Sequence, residues 1–333
     1  MLPSRNRSRR CALALLLACL GGCSGSGQRL DPQQPATLAA GDHTFTLQQG
    51  DLTRRYHVHV PPRRDERPLP LLLALHGGGG SGRQFQRENA LDPVADREVF
   101  LAVYPDGTGP LRERLLTWNA GTHCCGWARA HAVDDSGFLA AVLDDLAARI
   151  PFDTGRVYVT GHSNGAMMAY RFAAEYAERV VAIVPVAGAM DLATFNPARP
   201  VAVLHIHSTD DPRALYEGGL GPSFPGTDQR VEHQPVTSGL ARWAAYNGCE
   251  PQPQVLDTRA GSGTNAGQDL THLVYRGCRP DGAVEHLRLS GSGHGWPGVT
   301  APRWRQRLLG PPTTLVDASA AAWQFAARFV RDR

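Results

Sequence analysis

The stretch Val157-Tyr158-Val159-Thr160-Gly161-His162-Ser163-Asn164-Gly165-Ala166 constrains this chain more than any other. It runs from an apolar, β-prone segment through Gly-x-Ser-x-Gly into the start of a helical pattern. A turn that abrupt leaves no room for side chains two residues either side of Ser163, so glycine stands at 161 and 165 and the hydroxyl is held out at the tip. The helix N-terminus behind Ser163 favours negative charge developing beside it. Apolar runs of the same kind recur at 69–75, 99–104, 180–186 and 201–206, while 138–150, 166–176 and 318–330 have helical periodicity. Continuous apolar runs suit strands covered on both faces, and strands alternating with helices predict a parallel sheet. Residues 56–60 alternate and stop at Pro61-Pro62, which reads as a half-exposed strand. Two stretches, 218–235 and 258–269, carry turn residues and few apolar ones; they read as irregular excursions, the first a candidate lid.

A strand, a nucleophile turn and a helix within such a pattern predict the α/β-hydrolase fold: an α/β chain with a mostly parallel central sheet and helices on both faces. At 333 residues and 42% hydrophobic composition the chain can bury one large core, so residues 41–333 are expected to form a single catalytic domain. A serine hydroxyl needs a base to take its proton and an acid to hold that base in one tautomer, in the chain order Ser, acid, His. Of the thirteen histidines, only His233, His272, His286 and His294 follow a plausible acid. His294 lies in Ser290-Gly291-Ser292-Gly293-His294-Gly295-Trp296-Pro297, a turn-rich loop after a strand-like run at 284–289, and is favoured as general base. The run at 201–206 delivers His207-Ser208-Thr209-Asp210-Asp211-Pro212, and spacing alone does not separate Asp210 from Asp211. For the oxyanion, the backbone N–H of Asn164 is one expected donor, and that of Gly78 or Gly79 in His76-Gly77-Gly78-Gly79-Gly80 is the other. That loop lacks the Gly-Lys-Ser/Thr of a phosphate cradle. Trp118, Trp127 and Trp296, with His162 beside the nucleophile, are candidates to contact substrate.

The first 22 residues read as an export signal of the lipoprotein type: Arg5, Arg7, Arg9 and Arg10, an apolar run at 11–20, then Gly21-Gly22-Cys23. Cys23 would carry the lipid, making the only membrane contact an acyl anchor, with residues 23–40 as a tether. Ordinary secretion is the alternative. With that segment set aside, 30 arginines face 31 acidic residues, which gives no reason to expect a nucleic-acid partner. In an oxidising compartment the remaining Cys124, Cys125, Cys249 and Cys278 suggest two disulfides. Cys249 with Cys278 would clip the 28 residues between them, and Cys124 with Cys125 would form a vicinal pair. Adjacent cysteines rarely share a tetrahedral zinc, so no metal site is expected.

With these residues in hand, the chain resembles the esterase family that groups bacterial feruloyl esterases with polyhydroxybutyrate-depolymerase-like lipoproteins. The matching features are Leu75-His76-Gly77, Tyr104-Pro105-Asp106-Gly107, Trp118-Asn119, Cys124-Cys125-Gly126, Val133-Asp134-Asp135 with Phe138, Gly161 to Met167, Asn247-Gly248-Cys249 and His294-Gly295-Trp296-Pro297. The family's His-Gly-Thr-x-Asp motif maps onto residues 207–211, which selects Asp211 as the acid, with Ser208 where the family has Gly. The resemblance implies ester hydrolysis without metal or organic cofactor, on feruloyl or related esters of plant polysaccharide or on hydroxyalkanoate polyester. An acyltransferase and a non-catalytic surface lipoprotein are the alternatives on the same fold.

Overall fold

A computed structural model describes residues 38–64, 67–111, 113–224 and 228–331. The expected export segment, Cys23 as the expected lipid site and most of the expected tether lie outside those residues. The described chain falls within one compact unit, Pro35–Arg333.

The hairpin β1 (Gly41–Gln49) and β2 (Leu52–Val60) leads to β3 (Leu69–Leu75), then α1 (Gly82–Glu88), α2 (Leu91–Glu98) and β4 (Leu101–Pro105). After α3 (Gly126–Ala130) and α4 (Asp135–Ala147) come β5 (Phe152–His162), α5 (Asn164–Glu175), β6 (Ala182–Val186) and β7 (Ala202–Ser208). A small ladder, β8 (Gly219–Leu220) with β9 (Glu232–His233), precedes α6 (Val236–Tyr246). The chain then forms β10 (Gln254–Ala260), β11 (Asp269–Tyr275), β12 (Val284–Ser290), α7 (Arg303–Leu309) and α8 (Ala318–Ala326). Ten strands make one sheet in the order β1-β2-β4-β3-β5-β6-β7-β12-β11-β10. The six from β4 to β12 run parallel, and both flanks are antiparallel.

Alternation along β3 shows why the middle strands read as unbroken apolar runs. Leu71, Leu73 and Leu75 enter the core under α4, α5 and α6, with Phe138, Met168 and Trp243. Leu72 and Ala74 enter the core under α1, α2 and α8, with Phe85, Val94 and Phe325. Each face has its own helical cover, so no position on the strand is left for a polar side chain.

Two expectations are corrected. Residues 56–60 are mostly buried rather than half exposed, because Tyr56, Val58 and Val60 enter the core with Phe138 while α1 and α2 also pack on β2; even His57 is covered, its Nδ1 2.9 Å from the Thr44 hydroxyl. Residues 258–269 are irregular only in part: 258–260 complete β10 and Asp269 opens β11, its partner at the sheet edge, while 261–268 form the irregular connection between them. Every residue of β10 is exposed, so no buried face imprinted a pattern on its sequence. The described residues of 218–235 are irregular apart from a four-residue ladder. Cys249 after α6 is bonded to Cys278 after β11, clasping that edge hairpin, and Cys124 is bonded to Cys125.

Candidate active site

Ser163 sits between β5 and α5 with φ +55° and ψ −119°, a left-handed conformation that a non-glycine residue adopts only when its surroundings enforce it. The enforcement is steric and local. A Cβ on Gly161 would collide with the Gly165 carbonyl, and one on Gly165 with the carbonyls of Leu75 and His76 at the end of β3. The Ser163 N–H donates to Val186 O at 2.8 Å, tying the turn to β6.

Three side chains from separate loops meet there. His294 Nε2 lies 2.9 Å from Ser163 Oγ, and His294 Nδ1 lies 2.7 Å from Asp211 Oδ2. The second Asp211 oxygen accepts the backbone N–H groups of Arg213 and Ala214 at 2.7 and 2.8 Å. Burial alone would raise the Asp211 carboxyl; the His294 charge and hydrogen bonds from His207 and His294 outweigh it and hold it well below the usual carboxylate range. Asp210 points elsewhere, accepting the Gly291 N–H at 2.8 Å and so bracing the histidine loop from below. Ser208, where the family pattern has Gly, donates its hydroxyl to Ser292 O at 2.6 Å, a second stitch between acid loop and histidine loop. The loop's far side is fixed by Gly293 N–H to Pro311 O and His294 N–H to Leu309 O.

Gly78 lies against the nucleophile turn, where a Cβ on it would stand 3.6 Å from Asn164 Cβ. Gly79 is corrected as a donor: its N–H is spent on Leu116 O at 2.8 Å. The Asn164 side chain does not face substrate either, since its amide oxygen accepts the Trp118 N–H at 2.6 Å and its amide nitrogen donates to Trp118 O at 3.0 Å. His76 steadies the glycine loop from inside, with Nδ1–H donating to Gly77 O and Nε2 accepting the Gly107 N–H at 2.9 Å.

The aromatic candidates are corrected as well. Trp118 is fully buried with its indole N–H on His76 O, and Trp296 is buried with its indole N–H on Ser319 Oγ. Both are core residues whose polar atoms are already satisfied. Trp127 is half-buried and stacks on His131. His162 donates from Nε2 to the His294 carbonyl at 2.7 Å, with its ring against the His294 ring. Burial, then the His294 charge, lower its pKa to about 3, so it acts as a neutral wedge under His294 rather than a substrate contact.

Beyond the end of β6 lies a hollow of about 290 Å³, lined by His123, Asp191, Gln234, Ser238 and Arg242 among others. Four exposed or half-exposed apolar groups lie on segments that touch the glycine loop or the histidine loop. Leu115 precedes Leu116, which pairs with Gly80 beside the glycine loop; Phe224 lies over Gly78; Trp304 and Leu308 project from α7, whose last carbonyl holds His294. Among the described residues one further cluster, Asp42, His59 and Asp92, has side-chain geometry open to a cation; it lies on β1, β2 and α2, away from Ser163.

The family model described as Esterase PHB depolymerase matches residues 54–249. NocK of Nocardia uniformis subsp. tsuyamanensis is 27% identical, over 96% of this chain and 98% of its own. The bifunctional acetylxylan esterase/xylanase XynS20E of Neocallimastix patriciarum is 26% identical over 72% of this chain and 31% of its own. Feruloyl esterase B of Piromyces equi is 26% identical over 69% of this chain and 40% of its own, so the chain spans under half the length of both fungal proteins. Among solved structures, the acetyl xylan esterase from Aspergillus awamori superposes with a TM-score of 0.53 at 15% identity, covering 80% of this chain and 97% of that one, which speaks for the shared fold.

Proposed function

The chain belongs to the esterase PHB depolymerase family and is a carboxylic ester hydrolase, and from that premise we propose that it works through an acyl-enzyme on Ser163. The observation that carries this reading is the unbroken line Ser163 Oγ, His294, Asp211, at 2.9 and 2.7 Å. Ser163 Oγ attacks the ester carbonyl while His294 Nε2 takes its proton. Asp211 holds the Nδ1–H and stabilises the imidazolium. The carbonyl oxygen, now negative, accepts the N–H groups of Gly78 and Asn164. The tetrahedral intermediate collapses, His294 returns the proton to the leaving alcohol, and water repeats the sequence on the acyl-enzyme to release the acid. Replacing Ser163 by Ala is expected to lower kcat by about 10⁴-fold or more on methyl ferulate, p-nitrophenyl acetate and a hydroxybutyrate oligomer. Turnover that survives the substitution would overturn the mechanism.

For substrate, we propose feruloyl or related esters of plant polysaccharide such as xylan. Relatives named for feruloyl and acetylxylan ester hydrolysis support this, and the hollow past β6 carries donors and acceptors for sugar hydroxyls in Gln234, Ser238 and Arg242. The aromatic cleft that would have favoured ferulate is not part of the support, since Trp118 and Trp296 belong to the core. The exposed apolar groups on segments next to the site's loops favour a second reading, a hydroxyalkanoate polyester. The ester turned over with the highest kcat/KM decides between them.

We further propose that the protein is exported and lipid-anchored through Cys23. Two disulfides fit an oxidising compartment, and among the described residues no helix is long and apolar enough to cross a membrane. Metabolic labelling with a radioactive fatty acid, retained by wild type and lost in Cys23→Ala, is the expected result.

A further inference from the structure

The acid of the site is buried, and a buried carboxylate that must stay ionised and stationary needs more than the residue it serves. One Asp211 oxygen is held by two backbone amides; the other faces His294 on one side and His207 on the other. Behind His207, on the same strand β7, lies His205, and behind that Tyr170 on α5. Their atoms are in sequence: Tyr170 Oη to His205 Nδ1 at 3.0 Å, His205 Nε2 to His207 Nδ1 at 3.0 Å, and His207 Nε2 to Ala214 O at 2.8 Å and Asp211 Oδ2 at 3.3 Å. All of these side chains are almost completely buried, so water does not complete their hydrogen bonds.

We propose that Tyr170, His205 and His207 form a one-way hydrogen-bond relay that ends on Ala214 O and so sets the His207 Nε2–H against Asp211 Oδ2 at 3.3 Å, and that they are positioning residues for hydrolysis. This rests on the reading of Asp211 as the acid of the site. The direction follows from the far end. His207 Nε2 faces two oxygens that can only accept, so the proton is on Nε2, shared between Ala214 O and Asp211 Oδ2. In the neutral ring Nδ1 then offers a lone pair, which takes the His205 Nε2–H. His205 Nδ1 in turn offers a lone pair to the Tyr170 hydroxyl. Each tautomer is dictated by its neighbour, and every dipole points its positive end toward the carboxylate. Burial agrees, holding His205 well below the ordinary histidine range and the Tyr170 phenol above its own, so both stay neutral. His286 on β12 lies near His205 but outside the chain, stacked on Tyr216. The consequence is mechanical: Asp211 cannot swing away from His294 without leaving the buried Ala214 N–H unpaired and giving up its contact with His207, and neither ring can flip without placing acceptor against acceptor.

The test has a structural arm and a kinetic arm. In protein with ¹⁵N-labelled histidine, His205 and His207 are expected as neutral Nε2–H tautomers, assigned by their single substitutions; an Nδ1–H or doubly protonated His207 at pH 7 overturns the relay. In the kinetic arm His207→Leu is expected to lower kcat by roughly 10- to 100-fold with KM within about twofold. His207→Gln places an amide N–H where Nε2–H stood and is expected to recover most of the loss. Wild-type kcat in His207→Leu, or a folded His207→Gln as impaired as Leu, overturns the proposal. Should the Leu variant not fold, Tyr170→Phe removes only the terminal hydroxyl; a roughly threefold or larger fall in kcat is expected, and an unchanged kcat overturns it. Full activity in Ser163→Ala would instead sink the underlying reading, and the tautomers are read without any turnover.

Discussion

At the scale of single residues, adjacent aspartates that no spacing rule separates have different work. Asp211 meets His294, while Asp210 caps the loop that carries it. Asp211→Asn is therefore expected to lower kcat by about 10⁴-fold, because an amide in that position favours the wrong imidazole tautomer. Asp210→Asn, which loses one charge-assisted bond to the Gly291 N–H, should cost about tenfold at most; initial rates on p-nitrophenyl acetate compare the two. Gly165 shows how little tolerance the nucleophile turn has. Its Cβ would press on two carbonyls of the central strand, so Gly165→Ala is expected to lose about 2–4 kcal/mol in urea unfolding, together with most of the activity.

Elements differ in what fastens them. The edge hairpin of β10 and β11 buries little, and β10 nothing, so its order depends on pairing and on the Cys249–Cys278 clasp. Opening that clasp by a Cys249→Ser, Cys278→Ser double substitution frees a loop of 28 residues in the unfolded chain and is expected to cost about 3 kcal/mol. Thermal melts would show it, while kcat stays within about twofold below the transition. At the opposite edge β1, β2 and α2 are joined through His59, whose Nδ1 and Nε2 lie 2.7 and 2.8 Å from Asp42 and Asp96. Burial works against protonation here, but hydrogen bonds to those two carboxylates prevail and raise the His59 pKa above its ordinary value. The clamp's contribution is thus fully present below about pH 6.5 and is lost as pH rises through the raised folded-state value. Melts of wild type and His59→Gln between pH 5.5 and 9 should show a gap in Tm that narrows with rising pH; a constant gap would contradict the clamp.

On the scale of the whole molecule, the helix α7 that holds the His294 N–H also carries two exposed apolar side chains, Trp304 and Leu308. If they meet an insoluble ester, Trp304→Ala with Leu308→Ala should lower turnover of a hydroxybutyrate suspension at least about fivefold while leaving p-nitrophenyl acetate unaffected. Equal effects on both would remove the support they lend to polyester. The central strands, the nucleophile turn and the choice of His294 were legible in the linear chain. Buried parallel strands leave continuous apolar runs, and a turn that excludes Cβ atoms writes its glycines at fixed offsets. The exposed β10 was not legible, for want of a buried face to mark it. Nor were the donors and contacts of the site: that Gly79 spends its N–H on Leu116, that Trp118 and Trp296 are core, and that His205 and His207 line up behind Asp211. Local sterics act between neighbours in sequence and therefore leave a local signature. Hydrogen-bond partners 46 to 131 residues apart are chosen only when the sheet brings β3, β5, β7 and the loop after β12 to one edge, and that choice belongs to the tertiary structure.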